Sequence, residues 1–156
     1  PVLASRLPWL KKWDTPLDFG KKWRGQRLLG DNKTWRGVIF GSLMGALAAA
    51  LEFTFLLGRP SWIGLVVIAW GGLILGIGAL VGDAFASFLK RRVGVSPGRS
   101  WFPFDQIDYI IGGLAFSYPF IGWPLSTILI ILALYFSLHI VVSFVGFLLG
   151  LKERPI

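Results

Sequence analysis

Long apolar stretches separated by short polar ones dominate this chain. Residues 38–57 and 62–81 are predominantly apolar runs of about 20 residues, enough for a helix to cross roughly 30 Å of hydrocarbon. Residues 125–151 form a longer run, and residues 109–123 form a shorter one. The pattern predicts an all-α integral membrane protein with four transmembrane helices in this chain and with the site formed by cytoplasmic loops.

Basic residues predict how these helices are oriented. The chain has 16 Lys and Arg against 8 Asp and Glu, and only Arg59 among the basic residues lies on the opposite side of the predicted bundle. Because Lys and Arg accumulate in cytoplasmic loops, the N-terminal segment, the loop after the second span and the C-terminus are expected in the cytoplasm. The net charge of +8 then favours contact with anionic lipids and phosphates, since no nucleic-acid-binding motif is present.

Two regions follow from this division. Residues 1–35 form a basic and aromatic cytoplasmic arm, for which a membrane-surface anchor is the simplest interpretation of residues 6–24. Residues 36–156 form the transmembrane helical domain, with a cytoplasmic loop at 90–105. No cysteine is present, which excludes disulfides and thiolate metal sites.

The arm ends in the sequence GDNKTWRG, residues 30–37. Turn residues there allow a helix to begin near Thr34, which would place Lys33, Thr34 and Arg36 at a helix N-terminus that favours phosphate. The spacing is not that of a P-loop, and a plain capped helix start explains this stretch equally well.

The first two spans are rich in small residues. Gly37, Gly41, Gly45 and Ala49 recur every four residues, which predicts close approach of another helix. Glu52 and His139 are the ionisable groups deepest in the apolar segments, and we expect a structural role for both.

The second span is expected to continue as helix to about Arg92. On it Asp83, Ser87 and Lys90 share one face, Arg91 flanks that face, and Arg92 points away. After a loop containing Gly, Pro and Ser, Asp105 and Asp108 stand three residues apart where the third span begins.

Three carboxylates that bracket a basic loop suit a metal–phosphate site. Mg²⁺ prefers oxygen ligands and commonly takes one or two carboxylates together with substrate phosphates. Cations around it would hold a triphosphate and help pyrophosphate to leave in nucleotidyl transfer. The structural alternatives are a capping box at Asp105 and Asp108, and a basic stop signal at the end of a span.

Three motifs in this order resemble the signature of the membrane CTP:phosphatidate cytidylyltransferases, the CDP-diacylglycerol synthases, and more closely the archaeal branch, the CDP-archaeol synthases. The motifs are GDNKTWRG, the GDxxxSFxKRR pattern at 82–92 and the DQxD pattern at 105–108. The resemblance implies transfer of CMP from CTP to 2,3-bis-O-geranylgeranyl-glycerol 1-phosphate, with Mg²⁺ as cofactor. It also implies five spans in the intact protein, one of them upstream of residue 1.

The resemblance also assigns roles to residues. It implies that Asp83, Asp105 and Asp108 are metal ligands, and that these three residues take part in catalysis together with Lys90 and Arg91. The remaining expected contacts to the nucleotide or the lipid phosphate are Asn32, Lys33, Thr34, Arg36, Ser87 and Arg92. The chain lacks a Lys-Asp pair and a Pro-Gly-His-Gly-Gly run of the bacterial signature, which leaves the number of metal ions open.

Three alternatives stay open at this stage. A CDP-diacylglycerol synthase would use phosphatidate instead of an isoprenoid lipid. A CDP-alcohol phosphotransferase would need a D-G-x-x-A-R pattern that this chain lacks. A small Mg²⁺ or solute transporter subunit would need polar residues along a path through the bilayer, where the chain offers little beyond Glu52 and His139.

Overall fold

The computed structural model describes residues 14–23, 25–30, 32–58, 61–96, 99 and 101–150, and it is helical apart from a short arm. The helices are α1 (Trp35–Leu57), α2 (Trp62–Arg92), a 3₁₀ turn (Phe104–Gln106), α3 (Asp108–Ile121) and α4 (Leu125–Leu148). In the arm, β1 (Lys22–Trp23) pairs antiparallel with β2 (Gln26–Arg27), so that Lys22 lies opposite Arg27.

A polar side chain caps the start of each of the first two helices. The Thr34 hydroxyl accepts a hydrogen bond from the Gly37 amide at 3.2 Å, and the Ser61 hydroxyl accepts one from the Gly64 amide at 3.1 Å. Each cap satisfies an amide that has no partner inside its helix. The predicted helix start near Thr34 and the predicted end of α2 at about Arg92 are therefore confirmed.

Three of the helices are long and apolar enough to cross a membrane: α1, α2 and α4. The predicted third span became α3, but its 14 residues cover only about 21 Å, less than the roughly 30 Å of hydrocarbon. The helix is short because it begins only at Asp108 and ends at Gly122, which adopts the left-handed conformation just ahead of Pro124. The structure thus supports a multi-pass membrane protein without confirming four spans.

Glycine contacts hold α2 between α1 and α3. A Cβ added to Gly72 would lie 2.5 Å from the Gly45 carbonyl oxygen of α1. A Cβ added to Gly112 of α3 would lie 2.2 Å from the Gly78 carbonyl oxygen of α2. Helix backbones come this close only where side chains are absent, as the small-residue spacing predicted for the first span.

The arm folds back onto the start of α1 and the end of α2. The Leu17 amide donates to the Lys33 carbonyl at 2.8 Å, and the Trp35 amide donates to the Thr15 carbonyl at 3.1 Å. Trp23 contacts Phe88 near the end of α2, with ring centroids 6.5 Å apart. Thr15, Leu17 and Trp23 therefore connect the arm to these helices, while the Lys11-Lys12-Trp13 part of the predicted anchor lies outside the described residues.

Candidate active site at the polar helix ends

A cavity of about 750 Å³ lies where the arm, the end of α2 and the start of α3 meet. Its size falls within the range of pockets that bind small ligands. Most of the residues that line it are polar or charged, and the full set is Arg27, Leu29, Gly30, Asn32, Lys33, Asp83, Ser87, Lys90, Arg91, Gly94, Val95, Ser96, Asp105 and Asp108.

The predicted polar face of α2 forms one wall of this cavity. Asp83, Ser87 and Lys90 all line it, as their helical spacing indicated. The Lys33 ammonium, reaching across from the arm, forms an ion pair with the Asp83 carboxylate. This ion pair therefore connects the arm to α2 within the cavity.

Lys90 and Asp105 form a second ion pair. The Lys90 Nζ lies 2.5 Å from Asp105 Oδ2, and the Trp101 amide donates to the same oxygen at 2.8 Å. Lys90 is buried, so its charge requires a compensating partner. Asp105 supplies that charge from the loop that precedes α3.

Asp108 is the first residue of α3, and the Tyr109 amide donates to its Oδ1 at 2.6 Å. Burial, reinforced by the nearby negative charges of Asp83 and Asp105, raises the pKa of Asp108 to about 6 despite this hydrogen bond and the positive charge of Lys33. The arrangement excludes the capping-box alternative, because Asp105 lies in the 3₁₀ turn and α3 has no side-chain cap.

These carboxylates fit a particular kind of metal site. Asp83, Asp105 and Asp108 line one cavity and repel one another electrostatically. Among the described residues, however, no three acidic or histidine side chains are grouped closely enough to enclose an ion. The donor set therefore suits a Mg²⁺ ion that one or two carboxylates share with substrate phosphates, and it does not suit an ion held by protein ligands alone.

Three predicted contact residues lie elsewhere. Thr34 caps α1, and Arg36 is buried in an ion pair of 2.7 Å between its Nη2 and Asp14 Oδ1. The Arg92 guanidinium stacks near the rings of Trp23 and Phe88, at 5.3 and 4.9 Å from their centroids. The predicted role of Thr34, Arg36 and Arg92 in binding phosphate is not supported by these positions, because each side chain is used to fix the arm or a helix end.

The other predicted residues do reach the cavity, and the arm adds one that the sequence did not indicate. Arg91 lines the cavity, and its Nη1 donates to the Val95 carbonyl. Asn32 lines it from the arm. Arg27 also lines it, although it lies before the GDNKTWRG motif and carries no helical or motif spacing that would have indicated it. Neither Glu52 nor His139 lines the cavity.

Residues 9–156 match the CarS-like CDP-archaeol synthase family. This chain belongs to the CDP-archaeol synthase family. Membership confirms the resemblance carried by the three motifs, two of which, the GDxxxSFxKRR and DQxD patterns, supply Asp83, Asp105 and Asp108 of the cavity lining.

Relatives within the family cover most of the chain. The CDP-archaeol synthase of Methanopyrus kandleri is 43% identical over 90% of this chain and 79% of its own length. The CDP-archaeol synthase of Pyrococcus horikoshii is 38% identical over 97% of this chain and 89% of its own length. A solved structure of an intramembrane enzyme of archaeal membrane lipid biosynthesis shares 31% identity, with a TM-score of 0.70 over 91% of this chain and 87% of that chain.

Proposed function

We propose that this protein is a CTP-dependent cytidylyltransferase that makes CDP-archaeol, and that the reaction takes place in the cavity at the polar helix ends. The lipid substrate is an isoprenoid ether-lipid phosphate, 2,3-bis-O-geranylgeranyl-glycerol 1-phosphate, and pyrophosphate is the second product. The observation that carries the proposal is that three carboxylates and four cationic side chains from three separate segments line a single cavity of about 750 Å³.

The ion pairs in this cavity can change partners when a nucleotide binds. Lys33 and Lys90 are paired with Asp83 and Asp105, the same carboxylates that a divalent cation would use. A triphosphate carries more negative charge than either carboxylate, so both ammonium groups are expected to transfer to phosphate oxygens when the nucleotide binds. The freed carboxylates then face the cation that accompanies the nucleotide.

A bound Mg²⁺ would neutralise charge at the α-phosphate and on the leaving pyrophosphate. One or two of the carboxylates of Asp83, Asp105 and Asp108 would hold it together with the phosphates of the substrate. Lys33, Lys90 and Arg91 orient the triphosphate and stabilise the charge that develops on its β and γ phosphates. Ser87, one turn from Asp83 on the same face, supplies a hydroxyl for hydrogen bonding.

The chemistry requires no general base. An oxygen of the lipid phosphate, already ionised near neutral pH, attacks the α-phosphorus of CTP. The bond between that phosphorus and the oxygen bridging the α and β phosphates breaks, and pyrophosphate leaves with the bridging oxygen. This agrees with a cavity whose lining contains no histidine.

The position of the cavity suits a lipid acceptor. Asp83 follows the apolar part of α2 directly, so a lipid phosphate can reach the cavity while its chains stay in the bilayer. The excess of Lys and Arg on this side supports a cytoplasmic orientation for the cavity, where CTP is available, and a cytoplasmic C-terminus.

The proposal is tested by incubating the purified protein with CTP, Mg²⁺ and a panel of lipid phosphates while measuring pyrophosphate release. We expect release with the geranylgeranyl ether phosphate and little with phosphatidate of the same headgroup. Omission of Mg²⁺ should abolish it. Equal rates with phosphatidate would favour the CDP-diacylglycerol synthase alternative, and no release with any lipid would contradict the proposal.

A further inference from the structure

Asp18 is the most completely hydrogen-bonded acidic residue in the described part of the chain, and no motif includes it. Its side chain is only 1% exposed. It accepts hydrogen bonds from Arg27 Nη2 at 2.8 Å, from Arg27 Nε at 3.3 Å and from the amides of Gly20 and Leu29 at 3.0 Å each. All of these donors belong to the arm, so Asp18 is the centre around which the arm folds.

The protonation of Asp18 agrees with this geometry. Burial by itself would raise the pKa of the carboxyl, but the hydrogen bonds from Arg27, Leu29 and Gly20 outweigh it and lower the pKa to about 2. Asp18 is therefore a fixed negative charge at any physiological pH.

Two of the groups that Asp18 holds belong to the cavity. Arg27 and Leu29 both line it, and Gly30, which follows directly, approaches Arg91 of α2. A carboxylate that receives two parallel N–H groups fixes the plane of a guanidinium as well as its position. Without Asp18, Arg27 would lose the carboxylate that fixes the plane of its guanidinium.

Fixing Arg27 by an acid outside the cavity has a chemical consequence. Lys33 and Lys90 are paired with carboxylates inside the cavity and must change partners when a triphosphate binds. Arg27 is paired with Asp18, which does not line the cavity, so it can contact phosphate without giving up that partner. Asp18 engages the guanidinium through its Nε and Nη2 atoms.

We propose that Arg27 is a further phosphate-binding residue of the nucleotide cavity and that buried Asp18 is the positioning residue that aims it. The proposal rests on the proposed function in that the ligand is the triphosphate of CTP. It is narrower than the proposed function, because it concerns only the recognition of a polyphosphate chain.

The test measures the dissociation constants of CTP and of inorganic tripolyphosphate, each with Mg²⁺, for the full chain in lipid nanodiscs, together with the KM and kcat of turnover. Asp18→Asn replaces the carboxylate with an amide of the same shape. Losing one charged hydrogen-bond partner predicts about 10- to 100-fold weaker binding and a comparable rise in KM, with kcat within about threefold of the wild type.

Two further variants separate positioning from folding. Arg27→Lys keeps the positive charge and leaves the backbone bonds of Asp18 intact, but it cannot make the two-bond contact. We expect Arg27→Lys to bind CTP and tripolyphosphate about fivefold to tenfold more weakly than the wild type does. The double variant Asp18→Asn with Arg27→Ala should bind CTP and tripolyphosphate no more weakly than Arg27→Ala alone, because both substitutions remove the same interaction.

Lys22→Ala is the matched control. Lys22 is the cross-strand neighbour of Arg27, is exposed and does not line the cavity, so binding should stay within about twofold of the wild type. If Asp18→Asn does not fold, Arg27→Lys decides the question.

Wild-type affinity for both ligands in folded Asp18→Asn or in Arg27→Lys would overturn the proposal. So would full additivity in the double variant. A wild-type protein that binds tripolyphosphate through Arg27 but does not turn over CTP would contradict the proposed function and leave this inference standing.

Discussion

A very close approach of α2 and α3 lies directly beside the acidic residues, which makes Gly82→Ala an informative perturbation. A Cβ at Gly82 would lie 2.3 Å from the Asp108 carbonyl oxygen and 2.9 Å from the Gly112 Cα. All of these atoms are backbone atoms and cannot rotate away. Because tight but tolerable contacts begin near 3.0 to 3.4 Å, the two helices must separate by about 1 Å at this level.

Separating the two helices is expected to lower both the stability of the folded protein and the rate of the reaction. Overpacking of this kind costs about 1–3 kcal/mol of folding free energy. Asp83 and Asp108 move with the two backbones, and a displacement of about 1 Å among catalytic groups can lower the rate about 100-fold. We therefore expect Gly82→Ala to remain folded at moderate temperature, with a melting temperature several degrees lower and pyrophosphate release reduced by one to two orders of magnitude.

The control is the same substitution on the same helix. A Cβ at Gly71 meets nothing within 4 Å, so Gly71→Ala should retain the wild-type rate and lose no stability. The assay is the initial rate of pyrophosphate release with CTP, Mg²⁺ and the lipid phosphate, read beside a thermal melt of each variant. A wild-type rate in Gly82→Ala, or an equal loss in Gly71→Ala, would refute the argument that this contact sets the spacing of the carboxylates.

Glu52→Gln and His139→Ala should each retain activity, since neither residue lines the cavity; a folded but inactive His139→Ala would show that α4 contributes to the site. Because the chain has no cysteine, Ser96→Cys and Ser61→Cys can be labelled singly in oriented vesicles, and a membrane-impermeant maleimide should reach Ser96→Cys only from the cytoplasmic side and Ser61→Cys only from the other. Because the pKa of Asp108 is raised, this residue stabilises the folded state fully below about pH 4, and that stabilisation is lost as the pH rises towards 6. Over the same pH interval the carboxyl becomes ionised, so the affinity for Mg²⁺ increases. Mg²⁺ alone should therefore raise the melting temperature at pH 7.5 more than at pH 5, and an equal rise at both would contradict this assignment.

Much of the site was predictable because its key residues lie on regular elements. The 3.6-residue period of a helix places Asp83, Ser87 and Lys90 on one face whatever the tertiary structure. Thr34 is a cap residue just ahead of an apolar run, so the start of α1 was also encoded locally.

The arm was not predictable in the same way. Asp18 finds Arg27 and Leu29 nine and eleven residues further on, through a turn that no periodic pattern marks. Arg36 lies in the GDNKTWRG motif, yet it pairs with Asp14 because residues 14–17 run antiparallel to residues 33–36. Such pairings depend on how the chain folds back, and single-sequence patterns do not specify that path.

The apolar run at 109–123 agrees closely with the bounds of α3, but its prediction as a membrane span stays unconfirmed for a different reason. Residues 109–123 are continuously apolar, and hydropathy does not distinguish a short buried helix from a span. The left-handed Gly122 and Pro124 determine where the helix ends, and the 3₁₀ turn at Phe104–Gln106 delays where it begins. The late start places Asp108 within electrostatic reach of Asp83 and Asp105.

The central claim is that the carboxylates of this cavity support Mg²⁺-dependent transfer of CMP, and Asp108→Asn tests it most directly. Asp108 is ionised at neutral pH against the cost of burial, so an uncharged amide should leave the melting temperature unchanged or raise it. The measurement is Mg²⁺-dependent pyrophosphate release by this variant at neutral pH. We predict a loss of at least about 100-fold in a fully folded protein. A wild-type rate with a wild-type dependence on Mg²⁺ would contradict the account.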